Sequence, residues 1–167
     1  MDHLWAPWRM EYILESQDPN PVCIFCSKPA EKNDAKNLIA YRSQYCFVML
    51  NKFPYNNGHL MIIPFKHEAD LTRVSDEVMI DLHHTLGLAI KVLQQVMSPH
   101  GLNIGINLGR TAGAGIEDHL HYHLVPRWNG DTNFMPILAG TKVLSEALNT
   151  TWEKLSRAFI EQTPAAI

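Results

Sequence analysis

The sequence predicts an α+β domain built on about five antiparallel strands and two main helices. Three observations predict it. Five short segments carry strand-type apolar patterning, two longer segments repeat apolar residues at helical spacing, and 167 residues suit one domain spanning 1–167. Successive strands are separated by few residues. That favours antiparallel pairing, because a parallel crossover needs about a dozen residues or more.

Residues 1–37 are expected to be irregular, since Pro7, Pro19, Pro21 and Pro29 interrupt any long element. Strands follow at Leu38–Tyr41 and Tyr45–Leu50, joined by Arg42-Ser43-Gln44. The turn-forming run Pro54-Tyr55-Asn56-Asn57-Gly58 leads into a third strand, His59–Pro64. A helix is expected from Ser75 to Val96, where Val78, Leu82, Leu86, Ala89, Ile90 and Leu93 share one face. Ser75 and Asp76 suit its start, Pro99 and Gly101 its end. Strands at Asn103–Leu108 and His119–Val125 flank a small-residue connection, Thr111-Ala112-Gly113-Ala114-Gly115. The last element is a helix over Val143–Glu161, with Leu144, Leu148, Trp152, Leu155 and Phe159 in one stripe. Such stripes are read as core rather than cofactor contacts.

Composition sets outer limits on function. Hydrophobic residues make up 46% of the chain, enough for an ordinary core. The net charge of −3 argues against a broad nucleic-acid surface, which needs clustered excess Lys and Arg. No nucleic-acid partner is expected. No run approaches the roughly 18 apolar residues of a membrane span, and the N-terminus lacks the apolar core of a signal peptide. Three cysteines do not suit a disulfide framework, so a reduced, cytoplasmic protein is expected.

The chemistry concentrates in His119-Leu120-His121-Tyr122-His123-Leu124-Val125. Alternation along a strand puts the three histidines on one face and Leu120, Tyr122 and Leu124 on the other. The apolar face suits helix packing, and the histidine face must meet something polar. Imidazoles so arranged can serve as nucleophile, acid/base or metal ligand; the alternative is a polar strand without chemistry. His59 gains weight if an adjacent strand carries it beside this cluster. Cys23-Ile24-Phe25-Cys26 is either a zinc half-site, a redox pair or two buried thiols. No βαβ pattern surrounds it to favour the redox reading. Cys46 alternates within a strand and is assigned to the core.

The histidine segment resembles the signature of the histidine-triad family. Gly58-His59-Leu60-Met61-Ile62-Ile63-Pro64-Phe65-Lys66-His67 resembles a second recurrent strand of that family, and Asn107-Leu108-Gly109 its approach to phosphate. The resemblance covers about residues 22–128, leaving an N-terminal arm over 1–22 and a C-terminal helix and tail over 129–167. Leu4-Trp5-Ala6-Pro7-Trp8-Arg9 with Tyr12, and Pro126 to Phe134, are similar to a bacterial subgroup that includes diadenosine tetraphosphate phosphorylases.

The resemblance implies His121 as a nucleophile on the α-phosphorus, giving a covalent nucleotidyl-histidine. It implies His119 and His123 as its positioning and charge-stabilising neighbours, and His59 as a member of the same cluster. Asn107 and the backbone amides around Gly113 and Gly115 would hold phosphate oxygens. Asn51 takes a ribose-gripping position where the family often has Asp. Ala114-Gly115-Ile116 departs from the Ser, Thr or Gln common there, which weakens a phosphoramidase assignment. Trp128 is read either as an apolar wall beside an acceptor phosphate or as ordinary packing.

The implied partners are an adenine nucleotide or dinucleoside polyphosphate, with inorganic phosphate as co-substrate. The implied reaction is phosphorolysis of diadenosine tetraphosphate to ATP and ADP. The alternatives are a hydrolase or phosphoramidase of the same family, or a non-catalytic nucleotide-binding module. The resemblance adds His67 and His119 to Cys23 and Cys26 as a structural zinc set, no organic cofactor, and a homodimer.

Overall fold

The computed structural model describes residues 22–131 and 146–163. Within them runs a five-stranded antiparallel sheet: β1 Ile39–Arg42, β2 Cys46–Leu50, β3 Leu60–Pro64, β4 Gly101–Ile106 and β5 Tyr122–Arg127, ordered β1-β2-β3-β5-β4. Three helices accompany it: α1 Ile24–Ala30, α2 Asp76–Met97 and α3 Leu148–Gln162. The N-terminal Leu4–Tyr12 motif, the Phe134 end of the post-triad motif, and Val143 and Leu144 of the expected last helix lie outside the described residues.

Alternation in the central strands builds two cores. Every residue of β2 and β3 is buried, so both faces of the sheet are covered. On one face Val48, Leu50, Leu60, Ile62, Tyr122 and Leu124 pack against Leu82, Ala89 and Leu93 of α2 and Leu155 and Phe159 of α3. On the other, Phe47, Met49, Met61 and Ile63 pack against Phe25 of α1. The expected helical stripes are therefore core, and Cys46 is fully buried within it.

The segment expected to be irregular instead carries α1. Pro29 lies in its last turn, where a missing N–H costs a single helical bond, and both Phe25 and Pro29 are buried. Burial stabilises a seven-residue helix that local propensity alone would not. β5 begins at Tyr122, three residues later than expected, so His119 and His121 enter the sheet without ladder pairing. β4 pairs from Gly101 rather than Asn103, because the chain enters the sheet directly after Ser98 ends α2 in a left-handed conformation (φ 45°). α3 starts at Leu148, preceded by non-helical Glu146 and Ala147.

One turn fixes the approach to the site. Gly58 has φ +74°, and a Cβ there would clash with Met97 Sδ and meet Pro126 Cγ at 3.3 Å. The left-handed backbone favours glycine, and a Cβ would also force the end of the Met97 side chain to move. The turn delivers His59 just before β3, and β3 pairs with β5 so that Met61 lies opposite His123. No helix among the described residues is long and apolar enough to cross a membrane.

Candidate active site

His121 lines a cavity of about 330 Å³ with His123, Asn51, Gly113 and Gly115, walled by apolar residues that include Phe25, Met49 and Ile116. Its tautomer follows from one bond. Nδ1 lies 2.8 Å from the carbonyl oxygen of His119, which can only accept, so Nδ1 carries the proton. The Nε2 lone pair is then left for chemistry. Burial pushes the His121 pKa below its ordinary value, the bond to His119 opposing this, so the ring is neutral at pH 7. Phe25 holds the ring from one side, with centroids 5.0 Å apart.

A relay sets the tautomer of His123. The backbone N–H of Tyr55 donates to His59 Nδ1 at 3.1 Å, so His59 Nε2 bears a proton. That proton points to His123 Nδ1 at 2.9 Å. A neutral His123 consequently carries its own proton on Nε2, which is buried without a hydrogen-bond partner among the described residues. Burial, reinforced by the nearby His121, lowers the His123 pKa to about 4. Tyr55 stacks on His59 with centroids 4.8 Å apart, fixing the far end of the relay. The arrangement presents a lone pair on His121 beside a proton donor on His123.

His119 faces elsewhere. Its Nε2 donates to the Pro64 carbonyl at 2.9 Å, leaving the Nδ1 lone pair directed at Cys23, Cys26 and His67. The ligand atoms of Cys23, Cys26, His67 and His119 all lie within 4.8 Å of one another. His119 Nδ1 is 3.3 Å from both Cys23 Sγ and His67 Nδ1, and 3.6 Å from Cys26 Sγ. These separations suit the edges of a small tetrahedron of two sulfurs and two nitrogens. Without an ion, burial pushes the Cys26 thiol pKa up, with Cys23 adding to the effect. The four residues can bind a metal.

The remaining expected residues divide. Asn51 and the two glycines line the cavity, whereas Asn107 does not, and its Nδ2 donates to the Gly113 carbonyl at a long 3.5 Å. The amides of Gly113 and Ala114 already donate to the carbonyls of Arg110 and Gly109 inside the turn. Trp128 lines a separate cavity of about 550 Å³ with Asn56, Met97 and Thr151, away from His121. Its neighbour Arg127 is paired with Asp131 on the exposed side.

Sequence reasoning missed Lys28, Lys52 and Tyr55 as lining residues. A helical reading of 24–30 would have put Ile24 and Lys28 on one face and exposed the signal. Burial pushes the Lys28 ammonium below its ordinary pKa, the charge of Lys52 adds to this, and Glu31 opposes it.

Comparison with known proteins gives a consistent picture. Residues 32–130 match the HIT domain family. A relative from Mycobacterium tuberculosis named AP-4-A phosphorylase is 37% identical over 169 residues, covering 97% of this chain and 86% of its own. A Schizosaccharomyces pombe relative named adenosine 5'-monophosphoramidase hnt1 is 32% identical over 107 residues, 64% of this chain and 75% of its own. Among solved structures, a Zn-bound histidine triad family protein from Mycobacterium smegmatis superposes with TM-score 0.66 at 25% identity, covering 83% of this chain and 94% of that one.

Proposed function

Since the chain belongs to the HIT domain family, we propose that it is a phosphorylase that splits diadenosine tetraphosphate into ATP and ADP through a nucleotidyl-His121 intermediate. The observation that carries the chemistry is the His121 tautomer, which leaves the Nε2 lone pair in the cavity. The choice of substrate and acceptor is supported by the M. tuberculosis relative, similar over nearly the whole chain.

In the first step His121 Nε2 forms a bond to the α-phosphorus as the bond to the bridging oxygen breaks, releasing ATP. The Nε2 proton of His123 is the donor for charge developing on the oxygens around phosphorus, and the His59 relay holds it there. In the second step an oxygen of inorganic phosphate attacks the same phosphorus. The P–N bond breaks and ADP leaves, with His121 returned to its starting tautomer. Water as acceptor is the second reading, favoured by the relative named as a phosphoramidase.

Zinc is the metal that the Cys2His2 set fits best, a reading supported by the Zn-bound relative. Four protein ligands leave no open position, so the ion would be structural. Free cysteines as ligands suit a reducing cytoplasm. β4 is an edge of the sheet with Ile104 47% exposed, which supports a homodimer through that edge.

Product analysis tests the proposal. In phosphate buffer the expected products are ATP and ADP, with labelled phosphate entering the β position of ADP. ATP plus AMP at the same rate with and without phosphate identifies a hydrolase and overturns the phosphorylase reading.

A further inference from the structure

We propose that Lys28 and Lys52 form an anion-binding corner of the cavity, holding a phosphate group of the ligand other than the one facing His121. This rests on the reading that the cavity binds a nucleotide. Both lysines line the same cavity as His121. Among the described residues no carboxylate lines it and neither lysine forms an ion pair. Glu31, the acid nearest in charge to Lys28, is bonded to Lys36 and Asn37 instead.

The local charge runs against the chain's overall balance of −3. Two ammonium groups that act on each other sit beside an apolar wall, an arrangement that a bound anion relieves. Lys52 is exposed at the rim, and its Nζ lies 5.4 Å over the ring of Phe53, itself a lining residue, a contact that orients the ammonium along the cavity mouth. Asn51 adds to the donor side. Its side-chain oxygen accepts the Phe53 N–H at 2.9 Å, so its amide N–H groups are what it offers a ligand. A corner made only of donors matches phosphate oxygens.

Several phosphates can meet this description: those extending a 5′ chain, one on the ribose, or free inorganic phosphate. Titration calorimetry of the full-length protein without added divalent metal separates them, using AMP, ATP, adenosine 3′,5′-bisphosphate and inorganic phosphate as ligands. At least one phosphate-richer nucleotide should bind about tenfold more tightly than AMP, or inorganic phosphate should bind measurably to the AMP complex. The arm that responds identifies the phosphate held.

In a Lys28→Met, Lys52→Met protein, which keeps the apolar stems, the gain over AMP should disappear. A thermal melt checks that this protein folds, and Lys52→Met alone, at the exposed position, should remove part of the gain. Binding of AMP with no gain in any arm overturns the lysine proposal alone, as does a gain that survives both substitutions. Binding of no nucleotide overturns it together with the nucleotide reading.

Discussion

At the scale of single residues, protons decide what the site can do. His123 is depressed from 6.5 to about 4 because it is desolvated next to His121. The folded state thus binds fewer protons than the unfolded chain between those values. Its contribution to stability is complete above pH 6.5 and is lost as pH falls towards 4. Linkage over pH 7 to pH 5 amounts to about 2 kcal/mol from this residue. His119 and His121 shift in the same direction and add to the loss. Asp131, held at about 2 chiefly by its bond to Arg127, titrates below this window. Urea unfolding of the wild type and of His123→Asn at several pH values should show a shallower loss in the variant. Parallel pH profiles would show that His123 does not titrate with folding.

At the scale of elements, α1 and its N-cap Cys23 border two candidate sites. Cys23 and Cys26 belong to the Cys2His2 group that can hold a metal, while Ile24, Phe25 and Lys28 line the cavity. His119 likewise offers Nδ1 to the cluster and its carbonyl to His121. Cys23→Ser should therefore lower metal content, melting temperature and AMP affinity together, read by elemental analysis, calorimetry and titration. Loss of metal with full nucleotide affinity would uncouple the two sites. The turn before β3 has its own test. Gly58→Ala should cost about 1–2 kcal/mol, chiefly from the left-handed backbone because the end of the Met97 side chain can move aside, measured by chemical denaturation. A loss under half a kcal/mol would show that the turn relaxes freely.

The element scale is also where sequence patterning succeeds and fails. Long amphipathic repeats exposed α2 and α3, and alternation in the triad segment told its core face from its histidine face. α1 was hidden because prolines mask a short helix whose stability comes from burying Phe25 against the sheet. Lys28 and Lys52 read as surface charge, since only the fold brings them to one cavity. Trp128 follows β5 in a turn held by Asp131, which carries it to the second cavity, and local sequence does not encode that direction.

At the scale of the whole molecule, the central strands β2 and β3 are covered on both faces and α3 packs on β1, whereas among the described residues β4 is mostly exposed and has a neighbour on one side only. An exposed edge with Ile104 at its centre suits a second copy of the chain. Ile104→Lys should shift a dimer to monomer in light scattering, whereas an unchanged mass would place the interface elsewhere. Phe25 of the second core, the relayed His123 and the carbonyl of His119 all meet His121, so the account stands or falls with its Nε2. Rapid-quench mass spectrometry of wild-type protein mixed with diadenosine tetraphosphate, with His121→Ala as control, tests it most directly. The account predicts one AMP covalently attached at His121 in the wild type and none in the variant; turnover by the wild type with no adduct at any quench time would contradict it.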